Sequence, residues 1–163
     1  IYAETALKID SHNSESNCVM AIALGRSSMS KSGKEKIVNA KEIKKYVDAA
    51  LKSDANNYKA WHVLGRWHFE ISNLNALERS LVKVLYGGLP PASIKQSLYA
   101  FERSRALAPG FILNYFEMAR AYKDNHQKDK AITYIELMLT LPDQTEDDPN
   151  IKEKGRKLLN DWD

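Results

Sequence analysis

A chain of 163 residues with 44% hydrophobic and 28% charged side chains, seven glycines and five prolines has the makeup of one folded, helix-rich domain with room for a core. A net charge of +3 is too mild to mark a nucleic-acid binder, and no apolar run reaches the roughly 18 residues of a membrane span. The single cysteine, Cys18, excludes an internal disulfide.

The first segment, IYAETALKID, is already amphipathic and lacks a starting methionine. An upstream segment that could carry an anchor or signal is therefore expected to precede it, which leaves the localisation open. Periodic apolar spacing then runs almost end to end, cut into helices by turn signals at 10–16, 30–34, 53–57, 86–91, 108–110 and 141–149. Cys18 lies in the apolar helical stretch CVMAIAL, where a buried structural thiol is expected. The basic run KEKIVNAKEIKK, 34–45, reads as a solvated helix face with Ile37 and Ile43 turned inward; contact with an acidic partner is the alternative.

Next comes KAWHVLGRWHFEI, 59–71, with two tryptophans, two histidines and an arginine. Leu74, Leu77, Leu81 and Leu85 follow at helical spacing, predicting an additional amphipathic helix. Ser93 with Gln96 spells a capping box after Pro90 and Pro91. Asp148 followed by Pro149 reads as an N-cap and first position of a last helix, about 148 to 161.

Three of these segments repeat one pattern. Trp61, Leu64 and Gly65, with His68 at the tyrosine position, begin a tetratricopeptide signature that closes at Phe101 and Pro109. Tyr115, Met118, Ala119 and Tyr122 repeat it, followed by Ala131 and Pro142, and Ala21, Leu24 and Gly25 form an earlier, weaker copy. Each unit is a helical hairpin that can bury its apolar face only against a neighbour. The expected fold is all-α: a right-handed stack of tetratricopeptide-like hairpins (an α-solenoid) forming one domain over 1–163, with an inserted helix and a C-terminal capping helix. Trp61 and Leu64 would fill the stack and Gly65 would permit close approach.

Chemical readings of the same residues fare worse. His62 and His68 are six apart, so roughly 120° separates them around a helix, whereas a shared metal ion asks for i,i+4 spacing. There is no glycine-rich phosphate loop and no nucleophile elbow. The acids of DQTEDDP lack the order of a calcium loop and suit a helix entry. Hence no enzyme, metal or cofactor is expected.

In a tetratricopeptide stack the first helix of each hairpin lines a concave groove. The groove positions are one after the glycine (Arg26, Arg66, Arg120), three before it (Ile22, His62, Phe116) and four after it (Met29, Phe69, Lys123). Arginine thus recurs at one structural place in all three units, flanked by apolar groups. Half-enclosed guanidiniums need anionic partners. These are either internal acids such as Glu70 and Glu117, or a ligand: a peptide carboxylate, an acidic peptide or a phospholipid head.

The stretches HVLGRWHFEI, LYGGLPPASIKQSL, PGFILNYFEMARAYKD and LPDQTEDDPNIKEKGRKLL together resemble the regulator of microtubule dynamics family over about 37–160, in particular its bacterial relatives. The resemblance implies a tetratricopeptide-like, non-enzymatic adaptor whose groove binds a protein or peptide. It also implies two alternatives, a lipid-binding or carrier domain holding an anionic phospholipid in that groove, and a microtubule-associated protein; no nucleic acid is implied.

Overall fold

The structure is a computed structural model that describes residues 2–28 and 33–162. Among these residues every regular element is a helix: α1 (Tyr2–Ile9), α2 (Ser14–Ser28), α3 (Gly33–Ser53), α4 (Tyr58–Ser72), α5 (Ala76–Tyr86), α6 (Ile94–Leu107), α7 (Ile112–Asp124), α8 (Lys128–Thr140) and α9 (Asp148–Trp162). None of them is long and apolar enough to cross a membrane.

The helix ends follow local chemistry. Asn57 accepts from the Ala60 amide at the start of α4, and Ser93 from the Gln96 amide at the start of α6. Asn75 and Glu78 form a reciprocal capping box on α5. That helix stops at Gly87, whose φ of 67° is left-handed and free of cost only for glycine. Asp148 departs from the expected forward cap. Its Oδ2 accepts the amides of Gln144 and Thr145 at 2.8 Å, so the carboxylate reaches back and ties the preceding turn to α9.

Three hairpins stack as expected: α2 with α3, α4 with α6, and α7 with α8. The first helices form one row, α2 to α4 to α7 to α9, and α4, α7 and α9 each pack on both helices of the hairpin before them. The capping helix α9 occupies the place that a next first helix would take. Helix α5 is the insert inside the middle hairpin and packs on α3.

The α4–α6 contact shows why the signature residues are needed. A Cβ on Gly65 would meet the Phe101 ring at 2.7–2.9 Å, closer than carbon atoms approach. Ser97 and Ser104, both fully buried on α6, donate to the carbonyls of Gly65 and Tyr58 at 2.7 and 2.9 Å. Ala119 repeats the small residue in α7 and is fully buried. Gly25 does not take part in such a contact: an added Cβ there would meet open space.

The core lies in two main blocks. Phe69, Phe101, Ile112, Tyr115, Met118, Ile135, Met138 and Ile151 fill the C-terminal one, and Ala21, Ile43, Val47 and Trp67 the N-terminal one. Trp67, not Trp61, is the tryptophan of the core. Trp67 is 4% exposed and its Nε1 donates to the Ala40 carbonyl at 2.7 Å. Trp61 lies half-buried at the surface, edge-on to Tyr99 and beneath Arg103. The reason is rotational: Trp67 faces the preceding hairpin, while Trp61 sits at the outer edge of the α4–α6 seam.

Candidate functional site

The nine groove positions separate into two sets once the first helices are placed side by side. Of the positions three before and four after the glycine, Ile22, His62, Phe69 and Lys123 face the next first helix in the row. Ile22 packs with Cys18, Ala50 and Ala60, bridging α2 to α4. His62 is buried, with Nδ1–H donating to Asn114 Oδ1 on α7 at 3.0 Å and its ring against Phe101 and Phe111. Phe69 is buried beneath the Arg120 guanidinium, 5.3 Å from its ring centre. Phe116 packs on the C-terminal core. Lys123 lies over the Trp162 ring of α9 at 5.6 Å. Met29 falls outside the described residues.

These side chains therefore close the seams between first helices, and His62 and Phe69 do not form open groove lining as expected. The physical reason is that 100° per residue carries positions 62 and 69 about 40° or more past Arg66, toward α7. Burial pushes the His62 imidazole down to about 4; the Arg66 charge adds to this and the Asn114 hydrogen bond opposes it. It is a neutral structural histidine at physiological pH.

The arginines are different. Arg66 and Arg120 keep 36% and 37% of their side chains exposed, and Arg26 is exposed on the last turn of α2. Arg66 and Arg120 converge on Glu117, whose side chain is only 7% exposed. Arg120 Nη1 donates to Glu117 Oε2 at 2.8 Å. Arg66 Nε stands 3.7 Å from Glu117 Oε1, and Arg66 Nη2 stands 3.8 Å from Glu70 Oε1. The structure thus brings two rungs of the arginine row together around one carboxylate. Among the described residues, nothing joins Arg26 to them.

Other titratable groups with displaced protonation lie away from this groove. Cys18 is fully buried and its thiol is pushed up to about 12, by burial first and by the Glu15 charge second. Glu102 Oε1 accepts from both Tyr122 and Tyr134 hydroxyls at 2.8 Å, and its Oε2 from Arg105 Nε at 2.8 Å. Burial raises the Glu102 carboxyl, but hydrogen bonds from Arg105, Tyr134 and Tyr122 outweigh it and hold the group below its usual range. This network joins α6, α7 and α8 and serves the stack. Among the described residues no three His, Cys, Asp or Glu side chains gather in a way that could hold a metal ion.

Sequence reasoning did not single out Asn114. It bonds both His62 and, through Nδ2 at 2.9 Å, the Phe101 carbonyl. The signal was a lone amide among the apolar and aromatic residues that open α7, ILNYF; its side chain is fully buried.

The sequence matches the family described as Regulator of microtubule dynamics protein 1-3 over residues 1–163. It is 30% identical over 147 residues to Regulator of microtubule dynamics protein 3 of Xenopus laevis, covering 90% of this chain and 32% of the relative. It is 25% identical over 118 residues to the human Regulator of microtubule dynamics protein 2, covering 72% of this chain and 29% of that protein. It is also 25% identical over 159 residues to the Bos taurus Regulator of microtubule dynamics protein 1, covering 97% of this chain and 50% of the relative. The chain thus spans between about a third and a half of these relatives' lengths. A solved structure titled Crystal structure of MamA aligns over 95% of this chain and 87% of its own at 20% identity, with a TM-score of 0.31, so the stacked-hairpin architecture rests on the helix order above. With the match running from residue 1 to residue 163, this chain belongs to the regulator of microtubule dynamics family.

Proposed function

We propose that the chain is a non-enzymatic binding module, an adaptor that holds an acidic segment of a protein or peptide in the groove along α2, α4 and α7. The observation that carries this reading is the state of Arg66. Its guanidinium stands between two carboxylates at 3.7 and 3.8 Å, both beyond hydrogen-bond range, so its donors remain available to a third. Arg120 is committed to Glu117 and to the Phe69 face, and acts as the fixed wall of the site. The groups with strongly displaced protonation, His62, Cys18 and Tyr122, are shut inside the stack, which favours binding over catalysis. The relatives' names connect them with microtubule dynamics, and an acidic microtubule-associated segment is the kind of partner this groove would suit.

The test is a titration of a labelled glutamate-rich peptide of about a dozen residues, followed by anisotropy. Charge-assisted hydrogen bonds to arginine contribute roughly 1.5–3 kcal/mol, so Arg66→Ala should weaken binding about ten-fold or more. Arg66→Lys should restore only part, since the planar two-pronged donor is lost. Unchanged binding by a folded Arg66→Ala, Arg120→Ala double variant would reduce the arginines to internal ion pairing. Native mass spectrometry separates the carrier alternative: a retained phospholipid displaced by these same substitutions would replace the peptide reading.

A further inference from the structure

The outward face of α6 carries a cluster of aromatic and cationic side chains. Lys95, Tyr99 and Arg103 follow one another at i, i+4 and i+8, and all three are exposed, Tyr99 by 61%. Trp61 of α4 completes the cluster. Its ring meets Tyr99 edge-on at 5.9 Å and lies 5.7 Å beneath the Arg103 guanidinium. The indole is held in that orientation by its Nε1, which donates to the Ala55 carbonyl at 2.8 Å.

The two cations of this face lack an anion. Among the described residues neither Lys95 nor Arg103 forms an ion pair or a hydrogen bond through its side chain. The acids close by in the chain are engaged elsewhere. Glu102 accepts from Arg105, Tyr122 and Tyr134, and Asp54, in the turn that Trp61 bonds, accepts the Asn56 amide at 2.8 Å. Attraction to the indole face uses the charge of Arg103 and leaves its N–H donors for a carboxylate. Tryptophan, tyrosine and arginine are also the residues in which binding energy concentrates at protein interfaces. Unpaired cations on either side of an aromatic pair complement an acidic segment with a bulky apolar side chain between its carboxylates. From Lys95 to Arg103 the helix rises about 12 Å, the reach of roughly four residues of extended chain. The face is therefore sized for a short linear segment. It is distinct from the groove, since Trp61 lies roughly 140° around α4 from Arg66.

We propose that the α6 face is a second docking site, for an extended acidic segment of a partner protein. One carboxylate meets Arg103, another meets Lys95, and the apolar side chain between them rests on Trp61 and Tyr99. The probe is a labelled peptide with one phenylalanine and a glutamate two residues to each side, followed by anisotropy; its control carries lysine for both glutamates. The titrations use the Arg66→Ala background, so that the groove does not contribute. That protein should bind the glutamate peptide, more weakly as salt rises, and should not bind the lysine peptide. Adding Arg103→Gln or Tyr99→Ala should weaken binding about ten-fold, with thermal melts close to the background's because both side chains are exposed. With fluorotryptophan incorporated, the Trp61 fluorine resonance, assigned through Trp61→Phe, should move on binding while that of the buried Trp67 stays. Absence of binding, equal binding of the two peptides, or full binding by a folded Tyr99→Ala, Arg103→Gln variant would each overturn the proposal. So would a self-association on gel filtration that this variant loses, which would assign the cluster to a second copy of the chain.

Discussion

Arg66 and Arg120 reach one carboxylate, that of Glu117, from different helices and with different grips. Arg120, three residues along α7, holds it at 2.8 Å, whereas Arg66 on α4 stands off at 3.7 Å. The buried partner should thus matter more for folding than the half-exposed one. Glu117→Gln leaves Arg120 without its anion and Arg66 with Glu70 alone, and should lower stability by about 1–3 kcal/mol. Arg66→Ala removes only long, solvent-screened contacts and should stay within about 0.5 kcal/mol of the parent. Urea unfolding of both variants decides. An Arg66→Ala loss as large as that of Glu117→Gln would make Arg66 a structural residue and remove the basis for its binding role.

Two glycines at the same place in the repeat should respond in opposite ways. Gly65→Ala puts a methyl within 2.7–2.9 Å of the Phe101 ring, which is itself fully buried, and should cost about 1–3 kcal/mol. Gly25→Ala meets open space in a helix and should stabilise by up to about 1 kcal/mol through helix propensity and a less free unfolded chain. Thermal melts of the two variants provide the comparison. Equal destabilisation would mean that α2 packs more tightly than the structure shows.

The signature was legible because spacing of small and aromatic residues is a property of sequence alone. It placed Gly65, Ala119, the insert helix and the last helix correctly. What it could not resolve is rotation within the stack. Residues 62, 66 and 69 share a broad face on any helical wheel, and only the position of α7 decides that Arg66 stays at the surface while His62 and Phe69 enter the seam. The same limit explains α5. Helical spacing does not say whether Leu77 and Leu81 point in or out; both are exposed, and Val82 is the buried one.

Trp61 and Trp67 give a direct measure of that rotation. Trp67→Ala opens a cavity against Ile43 and Val47 and removes the indole hydrogen bond to the Ala40 carbonyl, and should cost about 3–5 kcal/mol. Trp61→Ala removes a half-buried ring whose Nε1 bonds the Ala55 carbonyl at the surface, and should cost only about 1–2 kcal/mol. Denaturant titrations of the two single variants check the order. A larger loss at Trp61 would restore it to the core and place Trp67 outside.

His62 makes stability depend on pH, with a sign fixed by its burial. Its imidazole is held down at about 4 in the folded chain, against an ordinary value of 6.5 when unfolded. Between those values the unfolded chain binds a proton that the folded chain refuses, so protons favour unfolding. The contribution is complete above pH 6.5, declines as pH falls through that range and is gone near pH 4. Its ceiling is about 3 kcal/mol. His68, also held below its usual range by burial, acts in the same direction, so the two must be separated by substitution. In His62→Gln the amide can still meet Asn114 but cannot titrate. Its stability at pH 7 should fall, while the decline between pH 6.5 and 5 should become shallower than in the parent and in His68→Gln. Chemical unfolding at half-unit steps of pH supplies the curve. A slope in His62→Gln as steep as the parent's would show that the imidazole takes up its proton without leaving the seam, and that the His62–Asn114 joint is open to water.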